Sequence, residues 1–197
     1  ASINIESVYS DIIRENKYTP FDGIVLTDTF QLYEQERDMI ANLLPDNSER
    51  RTKQKNKNIT VVIGNPPYSV GQNSENDDAA NISYKNLDDS ISSSYAVKSS
   101  ATRRVSLYDS YIRAFRWASD RIKENGVIAF VTNAGWIEGT ATDGFRQCIA
   151  EEFSKVYILH LRGNSRLARE LSKKEGGNIF DVRVGITINI LIKKKKE

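Results

Sequence analysis

One cysteine, Cys148, and one histidine, His160, are all that the 197 residues hold of either type. A single cysteine excludes an internal disulfide and a cysteine-based zinc site. A single histidine excludes a multi-histidine metal centre and argues against a Ser-His-Asp triad. No metal is expected. Apolar runs approaching the ~20 residues that cross a bilayer are absent. The first twenty residues lack the basic start and apolar block of a secretory signal, so a cytoplasmic protein is expected. Strong charge of one sign is also missing: 28 Lys and Arg against 26 Asp and Glu leave +2. That is too little to argue for a nucleic-acid partner by itself. The composition, 39% hydrophobic and 27% charged, is that of an ordinary globular chain. Its length suffices for one domain with a sizeable core.

Hydrophobic periodicity supplies the organisation. Ile5, Val8, Ile12 and Ile13 predict a helix over 2–15, and "GIVLTD" at 23–28 a short buried strand ending in Asp28. "TFQLYEQERDMIANLLP" predicts a helix stopped by Pro45, followed by a basic linker or flap at 46–58. A strand at 59–63 leads into "NPPY". Residues 69–104 are rich in Ser, Asn and Asp, have little periodicity, and are expected to form a long mobile loop. An amphipathic helix follows at 106–125, with Leu107, Tyr111, Ala114, Phe115 and Ala118 inward. Strands at 127–132, 155–161 and 182–192 and a helix from Asp143 complete the pattern. The length of the last strand suggests an edge or antiparallel position. The alternation predicts an α/β domain with a mainly parallel sheet, whose ligands lie outside the carboxyl ends of the strands. Asp28, Asn65 and the pair Thr132–Asn133 fall at such ends.

The tetrapeptide Asn65-Pro66-Pro67-Tyr68 has its own chemistry. Each proline fixes its φ and restrains the residue before it, so the chain cannot turn at once into a helix. Prolines bring no N–H, so the Asn65 amide oxygen and the Pro66 carbonyl form a stiff pair of acceptors. Tyr68 adds a flat ring beside them. The set suits a planar group bearing an NH2, whose two hydrogens need two acceptors and whose ring needs a stacking partner. Such acceptors also draw the nitrogen lone pair out of conjugation, and asparagine does this without itself taking up a proton. A bare Pro-Pro pair would read simply as a strand-ending turn.

"VVIGNPPY" resembles the catalytic motif of the N6-adenine DNA methyltransferases that use S-adenosylmethionine. "GIVLTDTF", "SLYDSYIRAFRWASDRI", "NGVIAFVTNAGWIEG" and "LHLRGNSR…KEGGNIFDVRVGITINILI" follow in that family's order. The last block is most similar to single-chain restriction–modification enzymes that join nuclease, helicase-like and methyltransferase parts. The resemblance implies a Rossmann-like methyltransferase fold, with Asn65, Pro66 and Pro67 at the N6 amino group. Tyr68 would stack on an adenine flipped from the duplex, and Phe180, in "NIFDV", is a second stacking candidate. It implies that Asp28 and Phe30 face the adenine of the methyl donor, with double-stranded DNA and the remaining domains of a parent polypeptide as partners. Methyl transfer would be direct and in line, with no covalent enzyme intermediate.

The chain departs from the family's pattern before Asp28, where neither a glycine-rich strand-turn nor the acid ending a second strand occurs. The fold is therefore expected to be incomplete, lacking its first two strands and the glycine-rich donor loop. The piece alone is expected to bind donor poorly and to methylate nothing. Several residues have plainer readings. Asp28 equally suits a helix cap, Phe180 by itself reads as core, and His160 as a core histidine within a strand. Asp109, Tyr111, Trp117 and Trp136 read as structural, although Trp136 could also line the cleft. Lys98, Arg103, Arg104, Arg162 and Arg166 are candidates for DNA phosphates. Methylation of RNA or of a protein glutamine, and a non-catalytic DNA-binding module of the same fold, remain alternatives.

Overall fold

The computed structural model describes residues 2–13, 18, 20–34, 44–67, 84–162 and 184–195. They fall into two compact units, Ala1–Lys57 and Asn58–Glu197. Among the described residues no helix is long and apolar enough to cross a membrane, and no group of acidic, His and Cys side chains is placed to hold a metal.

The first unit contains α1 (Ser2–Ile13) and α2 (Pro45–Asn56). Helix α1 forms where its apolar spacing predicts. Helix α2 occupies the stretch expected to be a linker, and Pro45 starts it rather than stopping the helix expected before it. Residues 35–43 of that expected helix lie outside the described set. Proline suits a first helical position because the N–H it lacks would have had no partner there. Asp46 in the first turn and Lys53 and Lys55 in the last complement the helix dipole. Glu49 and Lys53 pair one turn apart at 2.6 Å. A helix held by end charges and surface pairs carries no apolar period, so periodicity could not reveal it.

The strand expected at 23–28 is not formed: Leu26 is 65% exposed and the segment has no ladder partner among the described residues. Its backbone meets a side chain instead. Asn47, buried in α2, accepts from the Leu26 N–H at 2.7 Å and donates to the Leu26 carbonyl at 2.9 Å. A single amide thus takes the place of one rung of a strand.

The second unit is a four-stranded sheet with helices. In chain order it holds β1 (Val61–Gly64), α3 (Lys85–Ile91), α4 (Ser110–Arg121), β2 (Gly126–Asn133), α5 (Gly135–Glu138), α6 (Asp143–Glu152), β3 (Lys155–His160) and β4 (Ile186–Lys193). The strands lie in the order β1-β2-β4-β3. Only β1 and β2 pair in parallel; β4 runs antiparallel to both β2 and β3. The sheet is therefore mixed rather than mainly parallel. The last strand is antiparallel as expected but central, because it enters between β2 and β3.

The described end of the expected long loop is helical. Helix α3 runs into a π-helical turn, Ser92–Ala96, and buries Tyr84, Leu87, Ile91 and Tyr95. Those four recur at intervals of three and four, one helical face hidden in sequence by the serines between them. Residues 68–83 lie outside the described set. Helix α4 is closer to expectation: Leu107, Tyr111, Ala114, Phe115 and Ala118 are all buried, although a 3-10 turn, Val105–Tyr108, precedes the helix proper. Phe115 packs edge-on to Phe130 of β2 at 5.2 Å and tilted to Phe145 of α6 at 5.3 Å. Trp136 joins Phe145 at 5.3 Å, which confirms its packing role. Gly126 opens β2 where only glycine fits, since a Cβ there would lie 2.5 Å from the Thr60 carbonyl.

Candidate active site

The parallel pairing brings the carboxyl ends of β1 and β2 to the same edge of the sheet. The last paired rung sets Gly64 opposite Phe130, and Asn65 follows directly. Strand β3 points the same way as β2, because both are antiparallel to β4, so its end at His160 reaches this edge too. The edge thus collects Asn65, Thr132–Asn133 and His160–Arg162.

Asn65 and Pro67 are exposed and Pro66 is half-buried. No peptide bond among the described residues is cis, so Asn65, Pro66 and Pro67 leave the strand as an all-trans, φ-restrained segment. Gly64 admits a ring beneath this exit: a Cβ there would already touch Phe130 at 3.4 Å, so any larger side chain would displace the aromatic. On the neighbouring strand Asn133 turns the chain, its side-chain oxygen accepting from the Gly135 N–H at 2.6 Å. Tyr68, Phe180 and Arg166 lie outside the described residues.

The end of β2 is held by a buried polar cluster. Asn189 of β4 donates from Nδ2 to Thr132 Oγ1 at 2.9 Å, to the Phe130 carbonyl at 3.1 Å and to the Thr187 carbonyl at 3.4 Å. Thr132, Thr187 and Asn189 are each fully buried. Thr132 is recognisable in sequence as a strand-end polar residue; its partners Thr187 and Asn189 are not marked in that way. The available signal was the alternation of Thr187 and Asn189 with isoleucines in "ITINILI".

His160 is exposed rather than a core residue. It ends the outermost strand, where only one neighbour covers it. Its Nδ1 accepts from the Arg162 N–H at 2.9 Å. Arg162 is held at φ 62°, in the left-handed region that few non-glycine residues enter. Among the other phosphate candidates, Lys98 forms an ion pair with Glu151. Arg104 donates to the carbonyls of Ala101 at 2.9 Å and Ser99 at 3.0 Å. Arg103 is exposed. The loop carrying them is anchored to the start of α6 by Asp143, which accepts from the Ser100 N–H at 2.9 Å. The Ser100 hydroxyl, first, and its N–H hold the Asp143 carboxyl well below the usual carboxylate range.

In the first unit Asp28 Oδ1 accepts from the Phe30 N–H at 2.9 Å, at the head of a 3-10 turn spanning Phe30–Leu32. That bond closes a local side-chain turn one residue ahead of the N-cap, Thr29, which itself makes no side-chain cap bond. Asp28 is exposed and Phe30 half-buried.

Residues 4–167 match the model of the Eco57I restriction-modification methylases. No curated protein matches. Among solved structures, the ATP-dependent Type ISP restriction-modification enzyme LlaBIII bound to DNA superimposes with a TM-score of 0.91 at 48% identity, over 100% of this chain and 13% of that one. A nuclease-deletion mutant of the Type ISP enzyme LlaGI, in complex with a DNA substrate mimic, gives 0.91 at 45% identity, over 100% and 16%. A DrdV–DNA complex gives 0.85 at 37%, over 98% and 19%. The chain therefore spans less than a fifth of the length of the solved chains it matches. Its mixed α/β architecture is the Rossmann-like methyltransferase fold. With more than half its length matched by that family's model, the chain belongs to the Eco57I restriction-modification methylases.

Proposed function

We propose that this chain supplies the acceptor side of an S-adenosylmethionine-dependent methyltransferase acting on N6 of adenine in double-stranded DNA. The observation that carries the reading is the stiff exit of β1: Asn65, Pro66 and Pro67 stand at the carboxyl edge of a methyltransferase sheet, directly after its last parallel rung. The Asn65 amide oxygen and the Pro66 carbonyl accept the two hydrogens of the adenine amino group. Hydrogen bonding to both localises the lone pair on nitrogen and makes it the nucleophile. Neither acceptor takes the proton, which leaves to solvent after transfer. Tyr68 and Phe180 stack on the flipped base, whose extrusion exposes N6. S-adenosylmethionine, when bound, supplies the electrophilic methyl group. Asp28 and Phe30 hold its adenosine by a carboxylate–hydroxyl or amine bond and by ring contact.

Lys98, Arg103, Arg104, Arg162 and Arg166 are the candidates for contacts to DNA phosphates. The partners are the DNA duplex and the remaining domains of a longer restriction–modification polypeptide, whose recognition part selects the site. Activity belongs to that complete enzyme. The direct test supplies methyl-labelled S-adenosylmethionine to the complete protein with duplex DNA, RNA and polypeptide in parallel, then digests each to its monomers. Label in N6-methyladenine from DNA supports the reading. Label on cytosine, on RNA or on glutamine contradicts it.

A further inference from the structure

The inward face of β2 and β4 changes character along its length. Ile128, Phe130 and Leu191 are buried apolar residues on it, and the next positions toward the carboxyl end of β2 are Thr132, Thr187 and Asn189, every one fully buried. Besides the Asn189 bonds, the two threonine hydroxyls lie 3.3 Å apart. Thr187 Oγ1 reaches the Thr132 carbonyl at 3.4 Å, and Thr132 Oγ1 the Asn133 carbonyl at 3.2 Å. Asn189 Oδ1 has no hydrogen-bond partner among the described residues. A sheet that needed only a core would place apolar side chains here, since replacing satisfied polar partners by apolar groups of the same shape is nearly neutral or stabilising. The polar set is confined to the rungs at the site edge. Residues that break a packing rule at such a place are those a function requires.

The geometry points to Asn189, Thr132 and Thr187 as positioning residues for methyl transfer, an inference that rests on the acceptor reading of Asn65. One rung of the sheet runs Gly64, Phe130, Asn189, Ile158 across all four strands. Asn189 grips the middle of that rung through the Phe130 carbonyl, one residue's length from where Asn65 leaves β1. From β4, Asn189 and Thr187 reach the carbonyls of Phe130 and Thr132 and the Thr132 hydroxyl, tying the end of β2 to β4. Strand β1 takes its own height from β2. Loosening the end of β2 therefore displaces the two acceptors from the adenine amino group without removing either.

The test uses the complete protein with Thr132→Val, Thr187→Val and Asn189→Leu combined, and Thr132→Ser as the conservative partner. Melting temperature, DNA affinity and the single-turnover methylation rate at saturating DNA and donor are measured for each. The combined variant is expected to melt at or above the unsubstituted protein and to bind DNA equally, while its methylation rate falls about tenfold, as small misplacements of reacting groups do. Thr132→Ser, which keeps the hydroxyl, is expected to retain the full rate. A folded combined variant that methylates at the original rate overturns the inference, and so does a rate loss matched by an equal loss of fold. Should the combined variant not fold, Thr132→Val alone decides: a slower rate with unchanged melting supports the inference, and an unchanged rate overturns it. Absence of adenine methylation by the unsubstituted protein overturns the acceptor reading itself, and the inference with it.

Discussion

Asn47 bonds both backbone groups of Leu26, taking its N–H at 2.7 Å and giving to its carbonyl at 2.9 Å. Asn47 is 6% exposed, and the only other buried residue described in its unit is Glu34. With so little buried apolar surface there, this double bond is a main tie between the 24–28 segment and α2. Asn47→Leu is expected to destabilise that tie by about 1–2 kcal/mol, the usual worth of two lost bonds to partly buried backbone. Amide hydrogen exchange reads it directly. Exchange at Leu26 should quicken strongly in Asn47→Leu and less in Asn47→Asp, which keeps the acceptor. Unchanged protection in both would contradict the assignment.

Arg116 is the buried centre of a charge cluster in the second unit. It reaches Glu152 Oε1 at 2.6 Å and Asp120 Oδ1 at 2.5 Å, and its guanidinium lies 5.4 Å over the Tyr95 ring. Arg116→Met removes the guanidinium that bonds both Glu152 and Asp120. Both are partly solvated, so the expected loss is about 2–3 kcal/mol rather than the larger figure for a wholly buried pair. Denaturant unfolding monitored on the sheet checks it.

Two carboxyls make stability rise with pH in the acid range. Burial opposes the ionised form of Glu152, but hydrogen bonding and attraction from Arg116 outweigh it and lower its pKa. Asp143 is lowered by its Ser100 bonds. A carboxyl whose folded pKa is depressed contributes stability fully present above the unfolded value of about 4, and loses it as pH falls through the folded value. Asp143→Asn should therefore differ most from the unsubstituted protein at neutral pH and progressively less below about pH 4. Unfolding midpoints along a pH series test the sign, and a gap independent of pH would contradict it.

Gly144, in the first turn of α6, sits against the π-helical turn. A Cβ there would lie 2.0 Å from the Tyr95 carbonyl and 2.6 Å from the Ser99 nitrogen. Both are backbone atoms that cannot rotate away. Gly144→Ala is expected to cost about 3 kcal/mol, at the upper end for overpacking, visible as a lowered melting temperature. Gly64→Ala, whose nearest contact is an ordinary 3.4 Å to a ring, should leave the melting temperature nearly unchanged.

The sequence made legible those parts whose pattern equals their burial. Phe115 and its neighbours on α4 alternate at helical spacing because one face meets the sheet and the other meets water. Strand β2 reads as a strand because both its faces are apolar. The stiff exit of β1 was legible for another reason: proline restricts backbone locally, without help from the fold. Helix α2 was not legible, because end charges and Glu49–Lys53 hold it rather than an apolar stripe. Tyr84, Leu87, Ile91 and Tyr95 kept helical spacing, but serine and aspartate between them masked it. The segment at Leu26 has no partner strand among the described residues, and no local pattern announces that Asn47 will bond its backbone instead. Sheet direction escaped for a topological reason: the insertion of β4 between β2 and β3 depends on pairing across more than fifty residues. His160 shows the same limit, since a strand's place at the sheet margin decides its exposure.

The central claim is that Asn65 acts on the adenine amino group and not on DNA binding. Asn65→Ala in the complete enzyme, assayed by single-turnover methyl transfer beside equilibrium binding to the same duplex, tests it most directly. The expected result is methylation lowered by about a thousandfold or more, the scale of losing a preorganised hydrogen-bonding group in a closed site, with DNA affinity within about twofold because phosphate contacts supply most of it. Methylation that survives the substitution, or that falls only in step with DNA affinity, would contradict the account.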